Sequence, residues 1–183
     1  MTFKLSLAFV TATVIGSTAA MAENPMVGGA PMFENKTIVE NAVNSEDHTT
    51  LVAAVKAAGL VETLNSEGPF TVFAPVNAAF GALPDGTVDT LLKPENKAML
   101  QKVLTAHVVA GDWSAAAIAA QANNSPDGFY HFNAVSGDAL SAQVKGGNVY
   151  IFDESGNAAR VTIADVDQSN GVIHVVNKVL LPK

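Results

Sequence analysis

The chain contains no cysteine. That excludes disulfide staples, thiolate metal sites, a cysteine nucleophile and a lipidated N-terminal cysteine, so stability has to come from packing. Arg160 is the only arginine, and 10 basic residues face 17 acidic ones. The basic residues are scattered, so the clustered Lys/Arg surface that phosphate contacts need is missing, which argues against nucleic acid as a partner. Beyond the N-terminus no apolar run is long enough to span a bilayer, and no hydrophobic tail closes the sequence. Catalytic signatures are missing as well. There is no G-x-S-x-G elbow, no G-K-[ST] after Gly137 or Gly146-Gly147, and no H-E-x-x-H. Asp153, Glu154 and Asn157 lack the spacing of a calcium loop and read as a polar turn.

What is present begins with an export pattern. Lys4 is the only charge in the first 22 residues. An apolar run from Leu5 to Ile15 follows, and Ala20-Met21-Ala22 supplies small side chains at the positions a signal peptidase reads. Residues 1–22 are therefore expected to be a bacterial-type signal peptide, leaving a secreted or periplasmic chain of one domain. Thr11, Thr13 and Gly16 interrupt the run, which suits a cleaved leader better than a membrane anchor. Residues 23–35, rich in Gly, Pro and Met, read as a flexible N-terminus, and the domain is expected over 36–183.

The first half of that domain reads as helical. Thr37–Val43 suggests a short helix. Leu51, Val55 and Ala58 recur at helical spacing, with Ser45 or Asp47 as the cap and Gly59 as the left-handed stop. Phe70–Ala74 is a strand of aromatic and β-branched residues, and Pro75 ends it. Asn77–Phe80 reads as a short helix capped by Asn77. Pro94 opens a helix with Met99, Leu100, Val103 and Leu104 on one face. His107–Val109 is extended, and Trp113–Ala120 suggests another helix. The second half reads as β: Leu140–Val144 and Val149–Ile151 around the Gly146-Gly147-Asn148 turn, then Val161 and Ile163, then Val172–Leu181 after Ser169-Asn170-Gly171. Helices first and strands later make the fold class α+β.

Three segments resemble the fasciclin-like domain family. FTVFAPVNAAF (Phe70–Phe80) resembles its first signature box, NGVIHVVNKVLLP (Asn170–Pro182) its second, and VLTAHVV (Val103–Val109) the short Tyr-His region between them. The resemblance covers about residues 36–183 and is to the secreted, single-domain bacterial type. It implies a β-wedge of two short sheets flanked by a cluster of short helices, and a role in adhesion. It also implies that Phe73, Pro75, Asn77, Phe80, His107, Asn170, Gly171 and His174 maintain the fold. Two departures stand out. Ala106 replaces the tyrosine before the histidine, and Ile163-Ala164-Asp165-Val166 keeps only the acid and an aliphatic residue of a Glu-Pro-Asp-Ile motif. No Arg-Gly-Asp occurs.

His107 and His174 carry two readings. Each is a ligand or base, or an imidazole whose nitrogens bond loop backbone and staple two segments together. Asp165 and Asp167 are spaced for one strand face, the raw material of glycosidase chemistry or simply a solvated edge. Trp113 is an interface anchor if exposed and core if buried. His107, Trp113, Asp165 and Val166 are the candidate binding residues. No catalytic residue, metal or cofactor is expected. The function read from these residues is an exported, non-enzymatic adhesion module that binds an extracellular or envelope protein or polysaccharide. The alternative is a small-ligand binder or cryptic hydrolase, which calls for a pocket holding His107 or His174 beside a carboxylate.

Overall fold

A computed structural model describes residues 24–182. The signal-peptide reading of residues 1–22 lies outside them.

The segment expected to be flexible instead folds back as a small hairpin, β1 (Met26–Val27) and β2 (Ala30–Pro31). Val27 and Met32 are buried, and the Glu46 N–H bonds the Gly28 carbonyl. The apolar residues among the glycines are what hold it: they reach a core that the loop composition did not reveal. Next comes α1 (Ile38–Ala42), opened by a capping box. The Thr37 hydroxyl accepts from the Glu40 N–H and the Glu40 carboxylate accepts from the Thr37 N–H, so two otherwise free donors are satisfied reciprocally. Then follow α2 (Thr49–Ala58), stopped by left-handed Gly59, and α3 (Val61–Leu64). The cap of α2 differs from expectation. Ser45 turns its hydroxyl to His48, and the free N–H of Thr50 is met by the Asn77 side chain from across the fold.

β3 (Phe70–Pro75) leads into α4 (Asn77–Gly81), α5 (Thr87–Leu91), α6 (Lys97–Thr105) and β4 (Val108–Ala110). Leu100, Val103 and Leu104 face inward from α6, whereas Met99, at the edge of that stripe, is 60% exposed. α7 (Ala115–Asn124) begins two residues later than the sequence suggested, because Ser114 caps it. The strands β5 (Tyr130–Asn133), β6 (Ala139–Lys145), β7 (Asn148–Phe152), β8 (Ala158–Gln168) and β9 (Gly171–Val176) complete the chain. β9 stops at Val176; the apolar residues after it are core but not ladder.

The strands join in the order β4-β3-β9-β8-β7-β6-β5, antiparallel except for β3 beside β9. The wedge arises from β8. Its first residues, Ala158–Arg160, pair with β7, and Val161 onward pairs with β9. Register shifts between Val161 and Ile163 and between Ile163 and Val166 mark where it is irregular. Bulges bend a strand and raise its twist, so one strand serves two sheets. Buried residues alternate across β3 and β9. Val72, Ile173 and Val175 pack under the helices, and Phe73 and Val176 pack toward α7 and the second sheet.

Candidate functional site

Both signature histidines sit on this central ladder or at its end, and backbone groups occupy all four of their ring nitrogens. His107 follows α6 and is 2% exposed. Its Nδ1–H donates to the Val103 carbonyl at 2.8 Å, and its Nε2 accepts from the Leu180 N–H at 2.8 Å. His174, on β9, is fully buried. Its Nδ1 accepts from the Asp165 N–H at 3.2 Å, and its Nε2–H donates to the Trp113 carbonyl at 2.7 Å. The two rings are therefore neutral and in opposite tautomers, each tying a distant segment to the core. Burial pushes the His107 ring down to about 4, against the opposing pull of the Val103 carbonyl and the Asp153 charge. Burial likewise lowers His174, opposed by the Trp113 carbonyl and by Asp165, Asp112 and Asp167. To act as a base or ligand, either ring would have to abandon a buried backbone partner, at roughly 1–3 kcal/mol.

The loop held by His174 is fixed by further hydrogen bonds. Buried Thr71 donates its hydroxyl to the Gly111 carbonyl at 2.8 Å and accepts from the Trp113 N–H at 2.9 Å. Asp165 stands at a positive φ of 54° on the irregular part of β8. This backbone turns its carboxylate onto the start of α7, where Oδ1 accepts from the Ala115 N–H at 2.6 Å. An acid suits the positive end of a helix, and the free N–H suits the acid. Trp113 is half-buried, bonds the Ala110 carbonyl through its indole N–H, and leans on Tyr130 at 5.5 Å between ring centroids. Asp112, Asp165 and Asp167 give the surrounding surface one sign. Partial burial raises the Asp167 carboxyl, with Asp112, Asp165 and Glu34 adding to the effect.

Several expectations are corrected by these positions. Val166 is fully buried and His107 nearly so, so neither presents a side chain to a partner. Trp113 and Asp165 remain at the surface loop. Asn77 does not cap its own helix: its Oδ1 accepts from Thr50 and its Nδ2 donates to the Glu46 carbonyl. Asn170 has no positive φ. It is a three-way staple instead, accepting from the Ile38 N–H and donating to the carbonyls of Leu64 and Ser66. Gly171 carries the turn, since a Cβ there would stand 1.9 Å from the Phe70 carbonyl oxygen. Phe73 and Phe80 are core, Pro75 is fully buried, and Phe73 stacks on His174 at 5.7 Å. Asp153, read as a turn residue, also accepts from the Leu181 N–H and so clips down the final segment. Sequence reasoning missed Thr71 and buried Asn41, whose amide bonds Phe33 and Gln168. For Thr71 the available signal was a single polar residue inside the apolar stretch Phe70–Ala74; Asn41, beside Glu40, carried none. Among the described residues no group of His, Asp and Glu is placed to hold a metal ion.

In this helix-covered β-wedge the signature polar side chains bond backbone rather than converge on a cleft. The chain belongs to the fasciclin domain family, which its residues 46–182 match. It is 50% identical over 171 residues to Protein sll1483 of Synechocystis sp., covering 90% of this chain and 87% of that protein. A second Synechocystis protein, sll1735, is 40% identical over 144 residues, covering 79% of this chain and 96% of its own length. The cell surface glycolipoprotein MPB83 of Mycobacterium bovis is 30% identical over 174 residues, covering 91% of this chain and 64% of that one. The fold matches a FAS1 domain pair from the insect cell adhesion molecule fasciclin I. That match has a TM-score of 0.70 and 18% identity, over 80% of this chain and 51% of the other. Fasciclin domains are in general adhesion and interaction modules.

Proposed function

We propose that this protein is exported to the periplasm or beyond the cell. There it acts as a non-enzymatic interaction module that docks an envelope or extracellular protein, with a polysaccharide as the second class of partner. The docking face is the loop around Asp112 and Trp113 with Asp165 and Asp167 beside it. The observation that carries this reading is the locking of that loop. Four hydrogen bonds to Thr71, His174 and Asp165 fix residues 111–115 before any partner arrives. A preordered loop loses little freedom on binding, and a half-exposed tryptophan in an acidic surround suits a partner with an apolar anchor and basic flanks. The commitment of both histidines to backbone supports a binding rather than a catalytic role. A relative named as a cell surface protein and the export pattern of residues 1–22 support the compartment.

Cross-linking on live cells followed by mass spectrometry tests both parts. The native chain is expected to capture a defined extracytoplasmic partner, and the charge-reversed variant carrying Asp112→Lys and Asp167→Lys is expected to lose it. Equal capture by both proteins, or capture only of cytoplasmic proteins, would contradict the proposal.

A further inference from the structure

On the helical side of the sheet the packing is incomplete. A largely enclosed cavity of about 60 Å³ lies between α1, α2, α3 and β3. Its floor is apolar, made by Val55, Val72 and Leu104. His107 also lines it, but with both nitrogens bonded to backbone that ring offers only carbon to the space. The carboxylate that a hydrolase pocket would need is not among the lining residues.

The way out of the cavity is graded. Val39, Val52 and Val61 line it and are half-buried, and Lys56 lines it and is exposed. Val52 and Lys56 are four residues apart on α2, so both stand on the same face of the helix. Apolar depth, half-buried valines and one cation, Lys56, thus line the same cavity. Neither ion pair found among the described residues involves Lys56.

We propose that this cavity binds a free single-chain alkyl carboxylate, with the end of the chain against Val72 and Leu104 and the carboxylate at the Lys56 ammonium. The volume sets the fit. An engineered 150 Å³ cavity takes a benzene ring, so this one takes on the order of two or three carbons. The remaining methylenes lie along the three valines. A narrow enclosed space admits one chain, not two, which favours a free acid over a diacyl lipid. The charge at the lip favours an anion over a neutral or cationic head. A protein partner would have to project one aliphatic side chain through the same opening.

The test uses the chain with its methyl groups observed by NMR, and sodium octanoate as the probe. Saturable shifts are expected at the methyls of Val55, Val72 and Leu104, with no change near Trp113. Octyltrimethylammonium should bind at least about fivefold more weakly, and Lys56→Glu, an exposed change that leaves the core intact, should reverse that order; fivefold corresponds to ~1 kcal/mol of head-group discrimination. Val52→Phe and, separately, Val39→Phe should block octanoate with the Trp113 signals unchanged. Should one of these fail to fold, the other and Lys56→Glu decide. Absence of saturable shifts, or equal binding of both head groups, overturns the proposal. So does a result in which only a leucine-bearing acidic peptide moves these methyls, which would make the cavity a side-chain socket. Each of these outcomes leaves the Trp113 loop to be judged on its own experiment.

Discussion

At the scale of single residues, the imidazoles set how stability depends on pH. Folding holds His107 near 4, well below the value of about 6.5 for a free histidine, and burial lowers His48 and His174 in the same direction. The unfolded chain therefore takes up protons between these values and the folded chain does not. Their contribution is fully present above pH ~6.5 and is lost as the pH falls through the lowered folded-state values, for His107 toward about 4. For His107 alone the loss amounts to roughly 3 kcal/mol. Denaturant titrations at pH 7, 5.5 and 4.5 should show the midpoint falling at each step. His107→Gln should flatten the slope while lowering stability at pH 7, and a slope unchanged by that variant would contradict the assignment. The structural option for these rings was legible in their apolar surroundings. Their partners were not, because Leu180 is 73 residues from His107 and Trp113 is 61 residues from His174. Asn170 was legible as a turn residue only; its three bonds to α1, α3 and the following loop depend on segments over a hundred residues away.

At the scale of elements, local signals worked where the stabilising group is local. The Thr37–Glu40 capping box, the Gly59 stop and the proline at the entry to α6 act within a few residues, and each element lies close to where the pattern put it. Where a distant group acts, the pattern misled. Asn77 caps α2 rather than its own helix, so Asn77→Ala should cost about 1–2 kcal/mol and loosen amide protection at the start of α2. Hydrogen exchange that instead rises only in α4 would show that the local reading was right after all. The N-terminal hairpin was missed for a related reason. Gly and Pro dominate its composition, but Val27 and Met32 decide its position, because both are buried in the core near His48. β5 and α5 were missed too, since each is only four or five residues long, too short for a period to show.

For the whole molecule, the fold class was legible because three signature segments and the order of helices before strands agree. The bend that makes the wedge was not, because it depends on register shifts within one eleven-residue strand. That bend places Asp165 at the start of α7 and draws the Trp113 loop onto β9, so architecture and candidate surface share one cause. The central claim is that the signature histidines hold this arrangement rather than react. Nitrogen-15 NMR of the imidazole rings across pH 4 to 7.5 addresses it most directly. A fixed Nδ1–H tautomer is expected for His107 and a fixed Nε2–H tautomer for His174, with His107 still neutral at pH 5.5. Rings that average between tautomers, or a His107 already doubly protonated near pH 6.5, would contradict it.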